Sequence, residues 1–406
     1  MRVLTIFIAT YIGVAIGRVP WLVLDRTGIA LLGAIAMVVS GAVSLERAVA
    51  SIDAATILLL FGFMIVSAQL RLGGFYTRVA NALAACRVGP RLLLLNIMLA
   101  SAVLSALLAN DIVCLAFTPV LVVSLQRARR NPVPYLIGLA VASNIGSAAT
   151  IIGNPQNMLI GQVGQLDFGR FFTWCGPPAL LALLGAFGII CRGYRKGFDL
   201  PTAAVLPDVS WPVFNRWQTA KGLAAVVILI LLFFTKLPRE ITTIAVAGVL
   251  LCSRRLKSRQ IVELVDWYLL TLFLALFVVI QAVADAGLPA AAMAVLNPLG
   301  IDLTNLYVLS LVSTAMSNLF SNVPAVMLLI RFLDPTDPFQ WQALALSSTF
   351  AGNLITIGSI ANLIVIEQAR LYGVAISFRE HARIGVPVTL FSLLLVLVWI
   401  GVRQGA

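Results

Sequence analysis

The chain reads as an all-α polytopic membrane protein built from two inverted five-crossing repeats, each with a re-entrant hairpin and a broken transmembrane helix. Its 406 residues are 61% apolar and 11% charged, with a mean hydropathy of +1.02, a balance no soluble domain of that length sustains. Apolar runs of roughly 17 to 25 residues recur along it, the length needed to cross a bilayer. Two such runs carry residues that a lipid-facing helix would exclude. They are Ser143 to Gly161 (SNIGSAATIIGNPQNMLIG) and Gly352 to Glu367 (GNLITIGSIANLIVIE). Each freed amide or carbonyl in hydrocarbon costs several kcal/mol unless protein or a water-filled cavity satisfies it. Paired broken segments in corresponding halves therefore point to a transporter's binding site.

In chain order, Leu4 to Ile16 leads into further membrane segments without a small-residue cleavage site, so the first span, near 3–17, is expected to be retained. Spans near 28–44 and 55–70 follow, then an Arg-bearing amphipathic piece over 75–88 suited to the interface. The run 92–126 is interrupted at Ala109-Asn110-Asp111 and is expected to form a hairpin with Asn110 and Asp111 at its tip. The broken segment 134–163 and a span near 171–191 complete the first repeat, 1–191. Residues 192–218, with Arg192, Arg195, Lys196, three prolines and two tryptophans, make a cytoplasmic linker. The second repeat, 219–406, then runs through spans near 220–235, 240–252 and 267–284 and a Pro/Gly-containing connection. A hairpin over 304–330 broken at Ser321-Asn322-Val323-Pro324, the broken segment 341–366 and a last span near 384–402 complete it.

Landmarks recur at a nearly constant offset. Asp53 pairs with Asp266, Gly73 or Gly74 with Gly287, Ser105 with Ser317, Asn110 with Asn322, Asn144 with Asn353 and Gly176 with Gly385. Gly153-x-x-x-Asn157 matches Gly358-x-x-x-Asn362, each preceded by a Thr, Thr150 or Thr356. Five crossings is an odd number, so the second copy is inverted. With the N-terminus outside, 21 of the 28 Lys and Arg fall in the cytoplasm and 7 outside, as the positive-inside rule requires. Both termini are then external, in a bacterial-type inner membrane.

The site follows from the breaks. Asn154 is placed to cap the second half-helix, with Pro155 at its first position, and Ser359 is the corresponding cap. Such N-termini attract anionic or strongly hydrogen-bonding oxygens, whereas the carbonyl ends of the preceding half-helices suit a cation or a hydroxyl proton. Asn110, Asn144, Ser147, Thr150, Asn154, Asn157, Asn322, Asn353, Thr356, Ser359 and Asn362 are the candidate substrate-binding residues. Asn110 and Asn322 are read as site residues in preference to plain hairpin turn formers. Neither hairpin nor broken segment holds a Lys or Arg in its membrane portion, which favours a neutral or weakly charged oxyacid over a dicarboxylate. Asp111 is the one carboxylate near the membrane centre, a proton-coupling candidate whose alternative role is to cap the second hairpin arm. Asp53 and Asp266 read as helix caps, and the five cysteines, which lack CxxC spacing, as packing residues.

The absences exclude other classes. His381 is the only histidine, so no histidine-built metal site is expected, and no cofactor is implied. The net charge of +12 belongs to loops rather than to a nucleic-acid surface. No HExxH, Ser/His pair or P-loop appears, so neither an enzyme nor direct drive by ATP is expected, unless a partner ATPase supplies it.

These motifs resemble the ion transporter superfamily that includes arsenite efflux pumps, NhaD-type sodium/proton antiporters, the melanosomal P protein, plant silicon effluxers and divalent-anion/sodium symporters. SNIGSAATIIGNPQNMLIG is similar to the P protein and silicon-effluxer signature, SALLANDIVCLAFTP to the arsenite-pump hairpin, and LITIGSIANLIVIE with ISFREHARIGVPVTL to the pump C-terminus. The resemblance implies a midplane site, elevator-like alternating access and, in many members, a homodimer. Carried over by residue, it points to Asn110, Asp111, Asn144, Asn157, Asn322, Asn353 and Asn362. Ser143-Asn144-Ile145 and Ser317-Asn318-Leu319 depart from the Ser-Asn-Thr motifs of sodium/dicarboxylate symporters. The expectation is proton-coupled efflux of a small inorganic oxyacid of the arsenite or silicic acid type. The alternatives are sodium/proton antiport with Na⁺ as coupling ion, sodium-coupled anion or dicarboxylate symport, and a passive channel.

Overall fold

The computed structural model describes residues 2–17, 22–195, 197–198 and 213–404. Arg18 and Lys196, both counted as cytoplasmic, and residues 199–212 of the expected linker lie outside them. Helices make up the fold, with no β-strand among the described residues. The first series is α1 (Arg2–Ile16), α2 (Arg26–Val39), α3 (Leu45–Ala50), α4 (Ala54–Leu72), α5 (Phe75–Ala84), α6 (Pro90–Leu107), α7 (Asn110–Arg127), α8 (Val133–Ser147), α9 (Pro155–Val163) and α10 (Phe168–Gly193). The second is α11 (Arg216–Phe233), α12 (Arg239–Leu251), α13 (Ser258–Val262), α14 (Trp267–Asp285), α15 (Leu288–Leu296), α16 (Leu306–Phe320), α17 (Asn322–Leu329), α18 (Pro338–Ala351), α19 (Ile360–Leu371) and α20 (Phe378–Gln404).

Helix by helix, the second series follows the order of the first. Asp53 and Asp266 cap α4 and α14 by accepting from the backbone amides of Thr56 and Leu269 at 2.7 and 2.9 Å. Gly74 and Gly287 open α5 and α15 in the left-handed region, at φ 73° and 66°, where a side chain would be strained. Gly287 therefore answers to Gly74 rather than Gly73. The Pro/Gly-containing connection after α14 forms α15 as the counterpart of the amphipathic α5. Two short helices, α3 and α13, precede α4 and α14 at equivalent places, and Ser44 caps the first by accepting from Arg47 N.

Seven helices among the described residues are long and apolar enough to cross a membrane: α4, α6, α7, α10, α11, α14 and α20. The first hairpin's arms, α6 and α7, have 18 residues each, whereas α16 and α17 have 15 and 8. The halves interlock reciprocally: α2 packs on α14 as α12 packs on α4, and α7 meets α19 as α17 meets α9. Gly62 permits one such crossing, since a Cβ there would lie 2.5 Å from Thr243 Cγ2. Helices α8 and α18 are buried on nearly every side and form the centre, and α18 buries Gln340, Gln342, Ser347, Ser348 and Thr349 together with its apolar residues. Helices α10 and α20 bury one face and leave Leu180, Leu184, Leu394 and Val398 exposed to lipid. A polar clasp of Arg47, Asp285, Gln281 and Arg331 ties α3 and α14 to the turn that follows α17.

Candidate functional site

Both membrane helices break as their residues dictate. Helix α8 stops at Ser147, and Asn154 starts α9 by accepting from Asn157 N at 2.8 Å, with Pro155 at the first helical position where its missing N–H costs nothing. Helix α18 stops at Ala351, a 3-10 turn covers Thr356–Gly358, and Ser359 caps α19 by accepting from Ala361 N at 3.2 Å. The carbonyls freed at each break are taken by one asparagine. Asn157 Nδ2 donates to Ser147 O and Thr150 O at 3.2 and 3.1 Å, and Asn362 Nδ2 donates to Gly352 O and Ile355 O at 2.7 and 3.2 Å. The reach is ten and seven residues back in both copies.

That shared register corrects two expected pairings. It matches Thr349, not Asn353, with Asn144, because Asn353 lies past the end of α18. It matches Ile355, not Thr356, with Thr150. The expected residues nevertheless meet in space. Asn144 Nδ2 donates to Asn353 Oδ1 and Asn362 Oδ1 at 3.0 and 3.1 Å, while its Oδ1 accepts from Ser359 Oγ and Asn110 Nδ2 at 2.9 and 3.2 Å. Thr349 faces the opposite break in the same way, near Asn154 Nδ2 at 3.3 Å and Asn157 Oδ1 at 3.4 Å. Each break is thus braced by the long half of the other broken helix.

The hairpin tips dock on this frame. Asn110 N donates to Gly153 O at 3.1 Å, and Ser143 Oγ donates to Asn110 O at 3.2 Å. Asn322, with its amide oriented to suit its neighbours, donates to Ser348 O and Gly358 O at 3.1 Å each. Ser321 turns the second tip at φ 75° and ψ 158°, a conformation that only glycine adopts readily and that strains the chain there. The matching residue in the first hairpin, Ala109, is unstrained at φ −57°.

Between the tips and the two half-helix starts lies a small cavity lined by Asn110, Asp111, Pro155, Gln156, Ser321, Asn322, Val323, Ser359 and Ile360. Of the candidate residues, Asn110, Asp111, Asn322 and Ser359 line it. Asn144, Ser147, Asn154, Asn157, Asn353 and Asn362 stand behind it as the hydrogen-bonded support. Thr150 turns away, donating to Ala106 O and fastening the first hairpin, and Thr356 is buried in its turn outside the cavity lining. Asp111 occupies the first turn of α7 and does not cap it, since Ala109 holds the cap position. Asn110 Oδ1 is buried without a hydrogen-bond donor.

Several participants escaped the sequence reading. Gln156 and Ser321 line the cavity directly. Gln156 follows Pro155 in the first turn of α9, and Ser321 sits inside the turn signal Ser-Asn-Val-Pro, so both had a local cue. Arg71, assigned to a loop, is half-buried in the last turn of α4 and lines a recess of about 680 Å³ with Asp111 and Asp266. His381 is buried, with Nε2 at 3.2 Å from Asn353 O and 3.5 Å from Asn362 Nδ2. The carbonyl contact makes Nε2 the protonated nitrogen, so the ring braces the second break. No group of His, Cys, Asp or Glu among the described residues is placed to hold a metal, and all five cysteines are free.

The comparisons agree with this architecture. The family model described as citrate transporter, CitMHS, matches residues 11–351. The chain is 30% identical to the 46 kDa membrane protein of Mycobacterium leprae over 98% of both chains. It is also 30% identical to the silicon efflux transporter LSI3 of Oryza sativa subsp. japonica, over 92% of this chain and 91% of that one. Its fold is similar to the crystal structure of the Alcanivorax borkumensis YdaH transporter, described as having an unusual topology, with TM-score 0.56 and 16% identity over 99% and 96% of the two chains.

Proposed function

The chain belongs to the CitMHS citrate transporter family of the ion transporter superfamily, a multi-pass membrane transporter rather than an enzyme, and we propose that it exports a small inorganic oxyacid in exchange for protons. The observation that carries this reading is the make-up of the small cavity, walled largely by amides and hydroxyls with Asp111 as its one carboxylate and no Lys or Arg. A citrate trianion there would be desolvated against dipoles alone, which do not offset such a charge. A protonated oxyacid such as arsenous or silicic acid instead brings O–H donors, and Asn110 Oδ1 is an acceptor that lacks one. The starts of α9 and α19 face the same space and favour the acid's oxygens.

Asp111 lines both this cavity and the recess beside it, so in this reading it exchanges its proton along the recess while substrate occupies the cavity. Protons moving inward drive substrate outward by alternating access, across a bacterial inner membrane with both termini outside. The similarity to a silicon efflux transporter supports the substrate class. Proteoliposomes loaded with arsenite or silicic acid test it: an Asp111→Asn protein should still bind substrate and equilibrate it but lose uphill accumulation. Uphill transport by that variant contradicts the proton role, and tighter binding of citrate than of either oxyacid contradicts the substrate class.

A further inference from the structure

We propose a binding site for an anionic phospholipid along the lipid-facing side of α10, separate from the transport cavity. Two hollows share Thr173 there. The polar one, of about 1020 Å³, holds Arg170 from the start of α10 and Arg403 from the end of α20, together with Trp174, Thr336, Phe339 and Gln342. The other, of about 1170 Å³, is a groove walled by α6, α8 and α10 in which Thr173 is the only side chain with a polar atom. Arg170, Thr173, Pro177 and Leu180 follow the spacing of a single helix face, so the basic basin stands at the head of the groove. From Arg170 to Leu183 the helix rises about 20 Å, more than the roughly 15 Å depth of one leaflet's hydrocarbon.

Charge selects the headgroup. Among the described residues neither arginine has a carboxylate within ion-pair distance. Asp167, on the basin wall, is engaged as the cap of α10, accepting from Arg170 N at 2.7 Å. The Arg403 guanidinium lies 4.8 Å over the Trp399 ring, an arrangement typical of the membrane interface. Two polar atoms in the basin lack partners: Trp174 Nε1 and Gln342 Oε1, on side chains 4% and 5% exposed. The indole donor suits a phosphate or ester oxygen, and the amide acceptor suits a headgroup hydroxyl. A phosphatidylglycerol supplies the negative charge, the hydroxyls and the acyl chain together. The groove lining also includes Ala106, the residue whose carbonyl anchors Thr150 and hence the hairpin that carries Asp111.

The test uses full-length protein stripped of lipid in neutral detergent and then given phosphatidylglycerol, phosphatidylcholine or inorganic phosphate. Phosphatidylglycerol should raise Tm by about 3 °C or more and remain as a countable adduct in native mass spectra, with phosphatidylcholine well behind. The double variant Arg170→Gln, Arg403→Gln should lose that preference. Gly176→Leu, whose added Cβ meets nothing nearer than 3.6 Å, should fill the groove and lose the adduct. Equal shifts from both lipids in the wild type would overturn the proposal, as would a full shift from phosphate alone or retention of the lipid by Gly176→Leu. None of these readouts depends on transport, so they stand apart from the oxyacid reading, and the exposed arginine pair carries the test if the glycine variant does not fold.

Discussion

Asn144 shows how much one side chain can organise. Its amide holds four partners drawn from the first hairpin and the second break, so removing it leaves Asn110, Ser359, Asn353 and Asn362 without the group they share. Asn144→Ala should lower stability by about 3 kcal/mol, the scale of stranded buried polar groups, as measured by thermal unfolding in detergent. Ser321→Gly should act oppositely, gaining about 1 kcal/mol in the same assay by relieving a backbone held where glycine alone is comfortable. A lower Tm for that variant would mean the strain is already offset by contacts of the side chain. Residue identity was easier to read than residue partnership. The caps at Asp53, Asp266, Asn154 and Ser359 are local devices written within three residues, and each is found as expected. The approach of His381 to Asn353, across 28 residues, has no local signal.

At the scale of elements, the two breaks use different chemistry to the same end. Proline enforces the first, whereas the second relies on Gly352, Gly358 and Ser359 without one. The tolerance of the two glycines should differ accordingly. A Cβ on Gly153 would stand 2.2 Å from Ser147 O, fixed backbone, whereas on Gly358 its nearest neighbour is Asn318 Oδ1 at 2.9 Å, the end of a side chain. Gly153→Ala should cost more than about 3 kcal/mol and Gly358→Ala less than about 1.5 kcal/mol, compared by Tm and folded yield. Equal losses would show that the breaks are packed alike. The existence of both breaks was legible because polar residues and glycines inside apolar runs have no other physical excuse. The register between them was not, because matching Asn144 to Asn353 aligned like residues, whereas the structure aligns like carbonyls, those taken by Asn157 and Asn362. The helical hairpin arms were legible to within a few residues, but α3 and α13, too short to show an apolar period, were not.

At the scale of the molecule, reciprocal packing of α2 on α14 and α12 on α4 makes the scaffold, and the hairpins and broken helices meet at its centre. The charge distribution, with the N-terminus expected outside, predicts a labelling pattern. Cys86 and Cys252 are exposed and lie beside the arginines assigned to the cytoplasm. An impermeant thiol reagent should reach them only in opened spheroplasts, and an Asp302→Cys protein lacking both should react from outside. Labelling of Cys86 or Cys252 in intact cells would reverse the orientation. The central claim is that oxyacid movement out and proton movement in are one process run through Asp111. Its most direct test is the internal pH of proteoliposomes under an imposed pH gradient, with arsenite, silicic acid, sodium or a dicarboxylate supplied in turn. Proton flux that appears only with an oxyacid, and disappears in Asp111→Asn, is the predicted result; proton flux that needs only sodium would contradict it and make the protein a cation antiporter.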